Sequence, residues 1–151
     1  MWNLRSDERL HEWKEFRERI GTVPVEQAIR ETGHLWSYAP YVNHYLDGLD
    51  IEDWPDPWIL LHENYYCDLA KVLGMLYTLY LSSHYNKEIN KLEIKVHKNL
   101  TNQDTTNSLW INEGKYILNL DFDTVVNKNQ VNENLVLKHQ YTVQDLRLNL
   151  Y

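Results

Sequence analysis

One cysteine in 151 residues, Cys67, leaves no partner for an intrachain disulfide, so a reducing compartment suits the chain. No apolar run approaches the roughly 18 residues of a membrane span, and a membrane partner is not expected. The first residues, Met1 to Glu8, lack the apolar stretch of a signal peptide, so secretion by that route is not expected either. The five glycines are isolated, which removes any phosphate-cradling loop. Basic residues are few and scattered: 15 Lys and Arg stand against 22 Asp and Glu, for a net charge of -7. A phosphate-binding surface needs clustered cations, so a nucleic-acid partner is not expected. An acidic decoy for a nucleic-acid-binding protein is one reading of the charge, though its density is low. Phenylalanine is scarce too, with two residues against six Trp and eleven Tyr. Trp and Tyr join an apolar body to a polar tip, which suits half-buried surfaces and interfaces.

The N-terminal part, residues 1–52, reads as helical. Ser6 with Asp7 and Glu8 marks a helix start, Leu10, Trp13, Phe16 and Ile20 follow at helical spacing, and Gly21 ends the run. A second helix is expected over Val23–Thr32, stopped by Gly33, and a third over His34–Leu46, interrupted by Pro40. The pair Pro55 and Pro57 forbids a helix interior and predicts an extended corner pinned by Trp54 and Trp58. Asn64–Leu81 is apolar nearly all round and predicts a central buried helix, within which Gly74 permits close approach of another element.

Beyond residue 90 the period changes to two. Leu92, Ile94 and Val96 alternate with Glu93, Lys95 and His97, which predicts a strand with one wet face. Residues Leu100–Asn107 read as loop. Ser108–Asn112 and Lys115–Asp121 predict a hairpin turning at Glu113-Gly114. Short strands are expected over Asp123–Asn127 and Leu135–His139, with Tyr141–Leu150 as a strand or tail. Helices followed by strands indicate a single α+β domain, its residues 53–151 forming a central helix packed on a small antiparallel sheet.

Few side chains invite chemistry. His62-Glu63 lacks the second His of a zincin motif, and His11, His34 and His44 lie on separate segments without metal-ligand spacing. No metal and no cofactor is expected. Cys67 falls near the start of the buried helix, where the helix dipole favours a thiolate. A thiol enzyme would add a base, for which His97 is the candidate, and an orienting acid, Asp121.

The stretch Trp54-Pro55-Asp56-Pro57-Trp58-Ile59-Leu60-Leu61, followed by Asn64-Tyr65-Tyr66-Cys67-Asp68-Leu69-Ala70, resembles the bacterial transglutaminase-like cysteine peptidases. So do the strands Leu92–Val96, Asn107–Ile111 and Tyr116–Asp121. The resemblance spans Trp54 to Val126 and implies a transglutaminase-like or papain-like fold. Registered on Asp68-Leu69-Ala70, it puts Tyr66 at the family's nucleophile position and Cys67 one residue late, about 100° round a helix. It puts Asn107 at the histidine position, and only Asp121 matches. The family's triad is therefore eroded. Cys67, His97 and Asp121 remain as the alternative, a thiol hydrolase or transferase.

Across nearly the whole chain, Trp13–Arg17, Leu35–Leu46, Asn64–Lys71 and Gly74–Tyr80 resemble a small protein of tailed phages, notably the T4-like phages of cyanobacteria. That resemblance implies a viral protein of the host bacterial cytoplasm or the virion. Joined to the eroded triad, it leads to a non-catalytic protein, structural or accessory. Its partners would be other phage or host proteins, or a second copy in a homo-oligomer. The expected contact set is Trp2, Trp36, Tyr38, Tyr41, Tyr45, Trp54 and Trp58.

Overall fold

In the computed structural model, which describes residues 1–146, four helices precede a four-stranded antiparallel sheet. Helix α1 spans Ser6–Ile20, α2 Val25–Ser37, α3 Pro57–Glu63 and α4 Asp68–Tyr80. Strands β1 (Leu92–Asn99), β2 (Thr105–Ile111), β3 (Tyr116–Leu118) and β4 (Leu135–Thr142) lie in the order β3-β2-β1-β4. The α+β expectation of helices on an antiparallel sheet is met.

Helix α4 is the centre. From Val72 to Tyr80 every side chain is buried, with α2 on one side and β1 and β2 on the other. Leu92, Ile94, Leu109 and Ile111 face it from the sheet, all in one core cluster. Gly74 is where Trp36 enters, since a Cβ there would overlap the indole. The core holds one polar node. Thr78 Oγ1 accepts the indole N–H of Trp13 at 3.0 Å and of Trp36 at 2.8 Å, and donates to the Gly74 carbonyl at 2.7 Å. One hydroxyl thereby satisfies two Trp donors that would otherwise be buried without a partner.

Arg9 links the first helix to the third. Its guanidinium donates to the carbonyls of Leu61 at 2.6 Å, Leu4 at 2.5 Å and His62 at 3.0 Å. The last turn of α3 leaves its carbonyls unpaired, and a cation there also suits the helix dipole. Asp56 caps the other end of α3 by accepting from the Ile59 N–H at 2.9 Å, with Pro57 in the first turn.

Several boundaries depart from the sequence reading. Helix α2 runs through Gly33 to Ser37, because Leu118 closes on Gly33 at the distance a glycine allows. No third helix forms over 34–46: residues 39–50 are loop, tied by a parallel bridge between Tyr41 and Tyr66. Helix α4 begins at Asp68 rather than Asn64. Asn64 instead ends α3 in the left-handed region at φ 59°. Strand β2 starts at Thr105, inside the stretch read as loop, because Thr105 pairs with Lys98. Asp123–Asn127 contributes only the Ile117–Val126 bridge. Strand β4 extends to Thr142, and residues 147–150 of the expected tail lie outside the described residues.

Candidate functional site

Cys67 occupies the N-cap of α4, held there by extended backbone (φ -71°, ψ 174°). Its thiol does not cap the helix. Sγ accepts the Leu46 N–H at 3.5 Å, and the residue is 5% exposed. It sits against a cavity of about 360 Å³ between the 41–48 loop, the start of α4 and the strands β1 and β2. Asp68, Val96, Thr105, Asn107 and His44 share that lining.

The polar centre of the cavity is a fixed cluster. Asn107 Nδ2 donates to one Asp68 oxygen at 3.0 Å, and Asn119 Nδ2 donates to the other at 2.9 Å. Asn119 Nδ2 also reaches the Asn107 carbonyl at 2.9 Å. Both carboxylate oxygens of Asp68 thus accept an amide, and α4 is pinned to the sheet at its N-terminus. An amide takes up no proton near neutral pH, so Asn107 offers hydrogen bonds and no base. Beside the cluster, Lys71 donates to the Ser37 carbonyl at 3.0 Å and lies 5.7 Å from the Tyr41 ring centroid. Desolvation pulls its ammonium below the ordinary lysine range, partly opposed by Asp68.

Of the residues singled out from sequence, the structure does not join Cys67 to His97 or to Asp121. Side chains alternate along a strand. Val96 and its partner Asn107 face Cys67, so His97, paired with Thr106, points to the other side of the sheet. There the imidazole stacks on Trp110, with centroids 6.0 Å apart. The expected wet face is covered at this point: His97 is buried and its Nδ1 has no partner among the described residues. Burial lowers its affinity for a proton, and Lys95 lowers it further. Asp121 is exposed in the loop after β3 and makes no hydrogen bond or ion pair among the described residues. Tyr66 turns its ring into the core against Trp2 and Trp36, with its hydroxyl on the Leu60 carbonyl at 3.3 Å. Burial raises that phenol above its usual range.

The expected aromatic contact set divides. Trp36 is fully buried, and Trp2 packs on it with its indole N–H on the Leu35 carbonyl at 3.3 Å. Trp54 is half-buried, bound to the Asp47 carbonyl at 2.8 Å and edge-on to Tyr141. Tyr45 donates to Glu63. Tyr38, Tyr41 and Trp58 are exposed, although Trp58 also meets Trp13 edge-on.

Two residues of the site escaped the sequence reading. In the sequence His44 stands alone on its own segment, yet it is the one imidazole in the lining of this cavity. Asn119 was hidden by a strand pattern running to Asp121. Its left-handed backbone, φ 67°, breaks that pattern and turns the amide inward. Asn tolerates this region, which was the signal available. Among the described residues no group of three or more His, Cys, Asp or Glu side chains is gathered as a metal would need.

No protein-family model matches the sequence, and no curated protein matches it significantly. Solved structures do match. LapG of Legionella pneumophila superposes with a TM-score of 0.70 over 90% of this chain and 75% of that chain, at 13% identity. Its calcium-bound form gives 0.72 over 92% and 77%, again at 13% identity. The fold is therefore transglutaminase-like.

Proposed function

We propose that this chain is a non-catalytic binding protein on a transglutaminase-like scaffold. It would serve as a structural or assembly component of a phage particle, or as an accessory factor holding a phage or host protein. The observation that carries this reading is the Asp68–Asn107–Asn119 cluster. Where the resembled family carries a histidine, an amide is locked to a carboxylate, and neither His97 nor Asp121 reaches the cavity. The phage setting, in the virion or the host cytoplasm, rests on the whole-chain resemblance to a tailed-phage protein. No helix among the described residues is long and apolar enough to cross a membrane.

The thiol hydrolase or transferase reading would have to run through Cys67 and His44, since those two line one cavity. Thiol labelling separates the readings. Native protein titrated with iodoacetamide from pH 5 to 9, beside the urea-unfolded chain, should label slowly until it unfolds. Fast native labelling with a thiolate pKa well below about 8.5, abolished in His44→Ala, would replace binding with catalysis.

A further inference from the structure

A second concavity lies away from Cys67. It measures about 580 Å³ and sits between α1 and α2, with the loop after β3 at its rim. That volume is within the range of roughly 300–1,000 Å³ used by ligand sites. Phe16 and Leu35 supply its apolar surface.

Two of the polar side chains around it are held by carboxylates and one is not. Arg19 pairs with Glu31 at 2.7 Å, and its guanidinium also lies 5.1 Å from the Phe16 centroid. His34 meets Asp123 at 2.9 Å. Arg30 is left over. It is exposed, lines the cavity, and makes no ion pair within 4.0 Å among the described residues. Its attraction to the adjacent Glu31 is the weakest of the influences on that carboxyl, the largest being the hydrogen bond from Arg19. On a chain of net charge -7, Arg30 is the guanidinium of this cavity that no carboxylate among the described residues holds within 4.0 Å.

An aromatic ledge continues from the same rim. The His34 ring lies 5.1 Å from Tyr38, and Tyr38 meets Phe122 edge-on at 5.3 Å. Tyr38 is 58% exposed and Phe122 66%. Two large rings held against each other in water, on the rim of a cavity that Arg30 lines, match the composition of interface cores.

We infer that this cavity and its ledge dock a peptide segment of a partner protein, with a carboxylate on Arg30 and a neighbouring aromatic or aliphatic side chain on Tyr38 and Phe122. A guanidinium binds a carboxylate through two parallel hydrogen bonds, which fixes direction as well as charge. A nucleic acid fits poorly, because one spare cation cannot follow a phosphate backbone. A small carboxylate would leave the ledge uncovered.

The inference rests on the reading of this chain as a binding protein, and the two fail separately. Rapid thiol chemistry at Cys67 would sink that reading without touching this surface. Here the test is a random-peptide display library panned on the full chain, counter-selected on Arg30→Glu. Enriched peptides should carry Asp or Glu close to Phe, Tyr, Trp, Leu or Met. The best of them, synthesised, should shift the amide resonances of Phe16, Arg30, His34 and Phe122. Arg30→Glu should weaken its binding by about tenfold or more, as for loss of a charge-assisted hydrogen bond, and added salt should weaken it too. Phe122→Ser, on a different element, should weaken it independently. Both variants change exposed side chains, and an unchanged melting temperature checks that they fold. No enrichment, enrichment equal on Arg30→Glu, peptides without acidic residues, or shifts mapping elsewhere would each overturn the inference.

Discussion

Thr78 shows how much one small side chain can carry. Its hydroxyl accepts from two buried indoles, and valine has the same shape without the oxygen. Thr78→Val would strand both N–H groups, each costing about 1–3 kcal/mol. We expect urea denaturation to show a loss of about 2–4 kcal/mol; a loss under about 1 kcal/mol would mean the indoles find other partners. His97 makes a prediction about pH. Its pKa in the folded chain lies below the ordinary 6.5. As pH falls through 6.5 the unfolded chain takes up a proton that the folded one resists, so stability declines toward the folded pKa and levels off beneath it. Unfolding free energies compared at pH 7 and pH 5 should fall further for the native chain than for His97→Gln. Equal declines would exclude His97 as a source.

Among the elements, α4 was the most legible, because a helix apolar on all sides has only one place to go. Its start was not legible. Nothing in Asn64-Tyr65-Tyr66 forbids a helix, and only the left-handed cap at Asn64 and the bridge from Tyr66 to Tyr41 hold that stretch extended. The Gly33 boundary misled for a related reason: glycine often ends a helix, but here it makes room for Leu118. Gly74 was read for what it does, and it can be tested. Alanine should gain up to about 1 kcal/mol of helix propensity, yet its Cβ would strike the Trp36 ring. Overpacking costs about 1–3 kcal/mol, so Gly74→Ala should lower the melting temperature, and a rise would refute the contact. At the other end, Asp68→Ala would take the carboxylate acceptor from both the Asn107 and Asn119 amides, leaving Asn119 only the Asn107 carbonyl. Double-mutant cycles of Asp68→Ala with Asn119→Ala should show coupling above about 0.5 kcal/mol; additive effects would mean the cluster is incidental. The cluster itself could not be read from sequence, since its members are 39 and 51 residues from Asp68.

For the whole molecule, the sheet has unequal sides. Strand β1 is hydrogen-bonded on both flanks, whereas β4 is an edge strand whose residues Leu137 to Gln140 are exposed. Protection against hydrogen exchange should follow this gradient, from α4 and β1 as the slowest to the outward amides of β4 as the fastest. Comparable protection on both edges of β4 would instead point to a covered edge. The Thr78 node also bears on how the chain is made. It unites residues 13, 36 and 78, so α1 and α2 wait on the ribosome until the end of α4 has been released. When that happens the sheet is still unmade, and the side of α4 destined for Leu92, Ile94, Leu109 and Ile111 faces water. A nascent chain that has emerged from the ribosome only as far as the stretch between Tyr80 and Leu92 thus shows that face of α4 to water, the state at which a chaperone would find it.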